Sequence, residues 1–289
     1  MTSALSKEMK WNAADYAAHS AVQQTWAREL IARLHLRGDE RVLDVGCGDG
    51  KVTAEIARAV PRGAVVGIDA SAEMIAFAQK TFPHSGVLNL TFHVCDARKI
   101  SPATRFPRAP ASRRRSQVSG LGNAAFDLIF SNAALHWVDD HQAFLRGAAS
   151  MLAPGGRLIV SCGGKGNAYD VFLALRPEMR LKRWRKFFRG LEKPYFFYSP
   201  ADYEKWLPHF GFQTHRVSLA PKNAVYHGRD GFAAWLRTTW LPYVQRVPGD
   251  LRAEFIAGVA DRYLAKHPPD AQGRVHVRMV RLEIDAVKQ

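Results

Sequence analysis

Along the first half of the chain, apolar positions alternate between two spacings. Short runs rich in branched apolar residues predict strands over 41–45, 64–69, 90–95, 126–131 and 156–162. Between them, apolar residues recur three and four apart. This predicts helices over 51–60, over 71–82 with Ser71 as N-cap, and over 141–152 before the turn signal Pro154-Gly155-Gly156. Strand alternating with helix is the pattern of a parallel sheet wound with helices, so an α/β fold is expected. Upstream, Val22, Trp26, Leu30 and Ile31 share one stripe and predict a single amphipathic helix over 12–34.

The pattern changes beyond Cys162. Leu175, Met179, Trp184, Phe187 and Phe188 are interleaved with basic residues, which predicts a basic amphipathic helix over 170–191, kinked or divided by Pro177. Ser199-Pro200-Ala201-Asp202 reads as a capped helix start. Strands are expected over 212–219 and 275–284, with two helical patterns between them. The whole chain, 1–289, reads as one domain: an N-terminal cap helix in 1–36, a core in 37–165, and cap helices with the last two strands in 166–289.

Composition narrows the function classes. The chain has 289 residues, 47% of them hydrophobic, which is enough for a substantial core. Its net charge of +15 raises nucleic acid or an anionic membrane as a partner, but two segments supply most of it. Seven basic residues and no acid lie between Asp96 and Asp127; eight basic residues face only Glu178 and Glu192 over 176–193. The stretch 101–123, rich in Pro, Ser, Arg and Gly, reads as a mobile loop, and a surface insertion is preferred over an arginine arm. Nucleic acid is accordingly not the expected partner. The basic helix reads as part of a cap with a solvated face, with contact to an anionic lipid surface as its alternative. No run approaches a membrane span, and the first residues lack an apolar leader core, so a cytoplasmic protein is expected. Cys47, Cys95 and Cys162 stand far apart and read as small buried thiols rather than a metal or disulfide set.

The most informative stretch is RVLDVGCGDGKVT, residues 41–53. A glycine-rich turn after a first strand lets a ligand approach the backbone closely. Here, however, Asp44 and Asp49 would repel a pyrophosphate, and Lys51 stands where a dinucleotide fingerprint has Gly or Ala. A cationic ligand reverses the sign. S-adenosylmethionine carries an ammonium and a sulfonium, and Asp44 suits the ammonium; Asp69 can accept ribose hydroxyls, and Asp96 the adenine amino group.

This set resembles the class I S-adenosylmethionine-dependent methyltransferases: D-x-G-x-G-x-G at 44–50, G-I-D at 67–69, an acid after the third strand, FDLIFSNAALHW at 126–137 and LAPGG at 152–156. The resemblance implies a Rossmann-like seven-stranded sheet with a helical cap and S-adenosyl-L-methionine as cofactor. It also implies cofactor contacts at Tyr16, Asp44, Gly46, Cys47, Gly48, Asp69, Ala70, Met74, Asp96, Ala97 and Asn132, with no metal.

The acceptor is read from what the chain lacks and from a finer resemblance. Ser131-Asn132-Ala133-Ala134 replaces the N-P-P-Y of amide and base-nitrogen methylases, and no cysteine has the setting of a cytosine C5 nucleophile. A carboxylate acceptor needs neither base nor metal. Leu135-His136-Trp137-Val138 and Tyr16-x6-Gln23 are similar to trans-aconitate and juvenile hormone acid methyltransferases. That similarity implies a small-molecule carboxylic acid held by Gln23 and Trp137. Tyr16, Ser20 and Gln23 also recur at helical spacing on one face. His136 becomes a candidate general base if the acceptor is instead a hydroxyl or amine. The alternatives are N-, C- or hydroxyl-directed methylation of another small molecule, and, behind these, an RNA-binding methyltransferase. The sequence leaves the oligomeric state open.

Overall fold

The computed structural model describes residues 11–19, 21–104, 106 and 126–289; the side chains of Tyr16, Ala18, His19 and residues 21–23 lie outside that description, as does most of the predicted loop 101–123. The N-terminal stripe forms two helices, α1 (Ala13–His19) and α2 (Ala21–Ala32), rather than the single helix expected over 12–34. Ser20, between them, is outside the described residues.

Seven strands make one sheet: β1 (Arg41–Val45), β2 (Ala64–Asp69), β3 (Leu90–Val94), β4 (Phe126–Asn132), β5 (Leu152–Gly163), β6 (Phe212–His227) and β7 (Arg274–Lys288), in the order β3-β2-β1-β4-β5-β7-β6. The first five run parallel, and β7 is antiparallel to both its neighbours. Val42, Leu43 and Val45 of β1 are buried because helices cover both faces, which is why the parallel strands read as continuous apolar runs. On one face lie α2, α3 (Lys51–Ala59) and α4 (Ala72–Thr81), packed through Leu30, Ile56 and Ile75. On the other lie α5 (His141–Met151) and α7 (Pro200–His209), packed through Phe144 and Tyr203. Ser71 caps α4 by accepting the Met74 N–H, as expected.

The last two strands are longer than the sequence suggested. Pro221 lies within β6, where it is tolerated because β6 is the sheet edge. Residues 274–280 of β7 run past the paired end of β5, and the alternation changes sides along the strand. Leu282, Ile284 and Ala286 join the core under α5 and α7, whereas Val275 and Val277 point the opposite way into a second core. That second core is the cap, built from α6 (Tyr169–Arg180), α8 (Gly228–Thr239), α9 (Leu241–Val244) and α10 (Arg252–Leu264). Three helices therefore stand between β6 and β7 where two patterns were expected.

The basic helix expected over 170–191 ends at Arg180, beyond Pro177, and only a 3₁₀ turn at Arg185–Phe188 follows. Trp184 is the reason. It is fully buried and its Nε1–H donates to Glu178 Oε1 at 2.8 Å, but residues six apart on one α-helix lie on different faces. The chain must leave the helix for the two to meet.

Candidate active site

A cleft of about 970 Å³ opens where the parallel strands end beneath the cap, the position at which open α/β sheets bind ligands. Its floor is the glycine loop. Gly46 and Cys47 both donate their N–H groups to Ile68 O, at 2.7 and 2.9 Å, which turns the chain sharply at the end of β1. Gly46 has φ +78°, and a Cβ there would lie 2.1 Å from that of Ala134. Only glycine lets the two loops approach so closely.

Acids surround this floor. Asp44 is buried and accepts the Thr53 Oγ1–H at 2.7 Å, and burial raises its pKa to about 7 despite that hydrogen bond. Asp69 accepts the backbone N–H of Gly48 at 3.1 Å and of Ser71 at 2.8 Å, while burial pushes its pKa upward. At the far end, burial opposes ionisation of Asp96, but Arg98 prevails through Nε at 3.0 and 3.1 Å and holds the carboxyl below its usual range. The same guanidinium reaches Asp139 Oδ1 at 2.7 Å, which fixes this wall.

Gly46, Cys47, Gly48, Ala70, Met74, Ala97, Asn132 and Trp137 also line the cleft. Asn132 Oδ1 accepts a hydrogen bond from Arg281 Nη2 at 3.0 Å. Cys47 is a buried thiol whose pKa burial pushes well up; Cys162 is buried too, whereas Cys95 is only half-buried and faces the cleft. Tyr16 lies on α1 and Gln23 on α2, but their side chains are outside the described residues. The neighbouring Gln24 lines the cleft and donates to Glu55 Oε1 at 2.6 Å.

His136 is elsewhere. It lines a smaller cavity of about 70 Å³ with Trp26, Tyr195 and Arg281. Its Nδ1 accepts the Gly163 N–H at 3.3 Å, and burial, with Arg281 nearby, lowers its pKa to about 3. The two cavities share Trp11, Ala133 and Trp137.

Sequence reasoning missed the cleft's roof. Phe196, Leu241, Pro242, Gln245 and Arg246 come from irregular chain and the short α9, where no periodic or motif signal marks them. Among the described residues, no His, Cys, Asp and Glu group could hold a metal ion, and no helix is long and apolar enough to cross a membrane.

The fold and this acid-lined cleft define a Rossmann-like, S-adenosylmethionine-dependent methyltransferase. The glycine loop and the buried carboxylates at the strand ends suit a cationic cofactor, which favours their ionised form. The chain belongs to the family described as "Methyltransferase domain", which it matches over residues 36–184. It is 28% identical to the trans-aconitate 2-methyltransferase of Methylobacterium nodulans, across 94% of this chain and 96% of that one. Among solved structures it resembles the YcgJ protein of Bacillus subtilis, with a TM-score of 0.56 and 17% identity over 91% of this chain and 97% of that one. It also resembles phosphoethanolamine N-methyltransferase 2 of Haemonchus contortus in complex with S-adenosyl-L-methionine, with a TM-score of 0.53 and 16% identity over 91% of this chain and 52% of that one.

Proposed function

We propose that the protein methylates a carboxylate oxygen of a small organic acid, forming a methyl ester. The observation that carries the reading is Trp137. Its ring lines the cleft, packed against Trp11 at 5.4 Å and Tyr195 at 4.9 Å, and its indole N–H has no hydrogen-bond acceptor among the described residues. A rigid donor of this kind suits an oxygen that loses its charge during reaction better than a cation would. The name of the Methylobacterium relative supports the same acceptor chemistry.

S-adenosylmethionine supplies an electrophilic methyl group on a sulfonium. In this reading Asp44 takes the cofactor's ammonium, Asp69 the ribose hydroxyls through its remaining lone pairs, and Asp96 with Ala97 the adenine edge. Gly46, Cys47, Gly48, Ala70, Met74 and Asn132 shape the space between, and the resemblance assigns Tyr16 to the cofactor and Gln23 to the acceptor. Trp137 and Gln23 hold one carboxylate oxygen so that a lone pair on the acid is aimed in line at the methyl carbon. The acid's oxygen forms the C–O bond as the methyl–sulfur electron pair passes to sulfur, and no proton has to move. A base is therefore unnecessary, which accords with His136 lining the other cavity.

The test is turnover with S-adenosylmethionine and individual mono-, di- and tricarboxylic acids, with product structure read by mass spectrometry and NMR. An O-methyl ester is expected. A methyl group on nitrogen, carbon or a hydroxyl oxygen would overturn the reading.

A further inference from the structure

Among the described residues seven acids line the cleft, including Asp44, Asp49 and Asp69 in the floor and Asp96 and Asp139 at the far end. An anionic acceptor entering there meets carboxylates along much of the lining, some of them paired within the protein. Among the described residues three cations share the lining: Lys51, Arg98 and Arg246. Two are already neutralised, Lys51 by Asp49 at 3.3 Å and Arg98 by Asp96 and Asp139. Arg246 has no acidic partner among the described residues. Its Nη1 donates to the carbonyls of Phe187 and Arg189, each at 3.2 Å, which hold the half-buried guanidinium against the roof. Nε and Nη2 have no acceptor among the described residues.

We propose that Arg246 anchors a carboxylate of the acceptor that is not the one methylated, so that the enzyme selects acids carrying at least two carboxylates. This rests on the carboxylate reading above. A guanidinium paired with the reacting carboxylate would stabilise a charge that esterification removes, and would favour the ground state over the transition state. Paired with a carboxylate that keeps its charge, it binds both states equally and fixes orientation, with the fork geometry that suits a planar anion. The adjoining lining residues Pro194, Phe196, Leu241 and Pro242 are apolar and offer no competing charge to such a pair. The cofactor's own amino-acid carboxylate has the same chemistry, so the experiment must separate the two sources.

Arg246→Gln and Arg246→Lys are compared with the unaltered enzyme for thermal stability, for S-adenosylmethionine affinity, and for KM and kcat on dicarboxylic acids and monocarboxylic acids of matched length. Binding of the same acids to the S-adenosylhomocysteine complex is measured by calorimetry, which needs no turnover. The expected result for Arg246→Gln is a rise of about ten- to hundredfold in KM and Kd for diacids. Monoacid constants and cofactor affinity should stay within about twofold, with partial rescue by Lys. Unchanged diacid constants in a folded variant would overturn the proposal. So would a loss confined to cofactor affinity, which would assign Arg246 to the cofactor's carboxylate. Methyl-ester formation that is indifferent to Arg246 would sink this inference alone. Arg246-dependent diacid binding without ester formation would sink the reaction reading and leave Arg246 as the anchor.

Discussion

Thr53 Oγ1 donates its hydrogen bond to Asp44 Oδ2 at 2.7 Å across the turn that joins β1 to α3. Asp44 is buried, and this is the hydrogen bond that counteracts the rise in its pKa to about 7. A cationic ligand favours the ionised carboxylate. S-adenosylmethionine affinity should therefore strengthen as pH rises through about 7, with proton release on binding below that pH. Thr53→Val removes the donor at similar volume and should move the midpoint upward. Calorimetry in buffers of different ionisation enthalpy checks both, and a flat affinity between pH 6 and 8 would contradict the role given to Asp44.

Gly46 adjoins Ala134 where a Cβ has no room. Gly46→Ala must displace the loop after β4 as well as strain a backbone at φ +78°. Cofactor affinity should fall by at least about tenfold, equivalent to ~1.4 kcal/mol, even where the fold survives. Equilibrium dialysis on the folded fraction reads this directly.

The part of the molecule most readable from sequence is the part where one residue has one job. Asp44, Asp69 and the glycines stand at strand ends, and the buried parallel strands announce themselves as apolar runs. The cap gave no such signal. Trp184 looks like one more apolar position on a helix, and only its bond to Glu178 shows that the helix has ended. Val275 and Leu282 both read as strand residues, yet they serve different cores on opposite faces. Arg246 acquires its place in the cleft only through long-range packing, so its neighbours in sequence say nothing of it.

Glu178 is buried in the cap, where Arg262 Nε at 2.6 Å, Arg183 Nη2 at 3.3 Å and Trp184 Nε1 surround it. Removing the carboxylate leaves an indole donor and guanidinium groups without their common partner. Glu178→Ala should destabilise the protein by about 3–5 kcal/mol. Gly258→Ala, whose Cβ would sit 2.5 Å from Glu178 Oε1, should destabilise it through the same cluster. Denaturant unfolding is the check, and near-neutral values for both would mean the cluster is not integral to the cap.

His141 is buried with Nε2 bonded to Leu135 O at 2.7 Å and Nδ1 to the Tyr203 hydroxyl. Burial lowers its pKa to about 4, against the ordinary histidine value near 6.5 in the unfolded chain. The unfolded state thus binds the proton first. The contribution is fully present above pH 6.5 and is lost progressively as pH falls from 6.5 toward 4, amounting to ~3 kcal/mol for this one group. His136 acts in the same direction. Melting temperature should fall through that window, and a conservative His141→Gln variant should flatten the slope.

Trp137→Phe keeps an aromatic ring against Trp11 and Tyr195 and deletes only the N–H. Turnover of the acid, read as kcat/KM, should drop about ten- to hundredfold while cofactor affinity stays within about twofold. An equal loss in cofactor binding would remove the indole from its acceptor role. Gln23→Ala should show the same split.

The atom that receives the methyl group can be read from the bond it forms. The protein is supplied with methyl-labelled S-adenosylmethionine and a pool of organic acids, and the labelled product is treated with mild alkali. A carboxylate methyl ester releases its label as volatile methanol, and that release is the predicted result. Label that stays on the product through alkali would contradict it and assign the methyl to nitrogen, carbon or an ether oxygen.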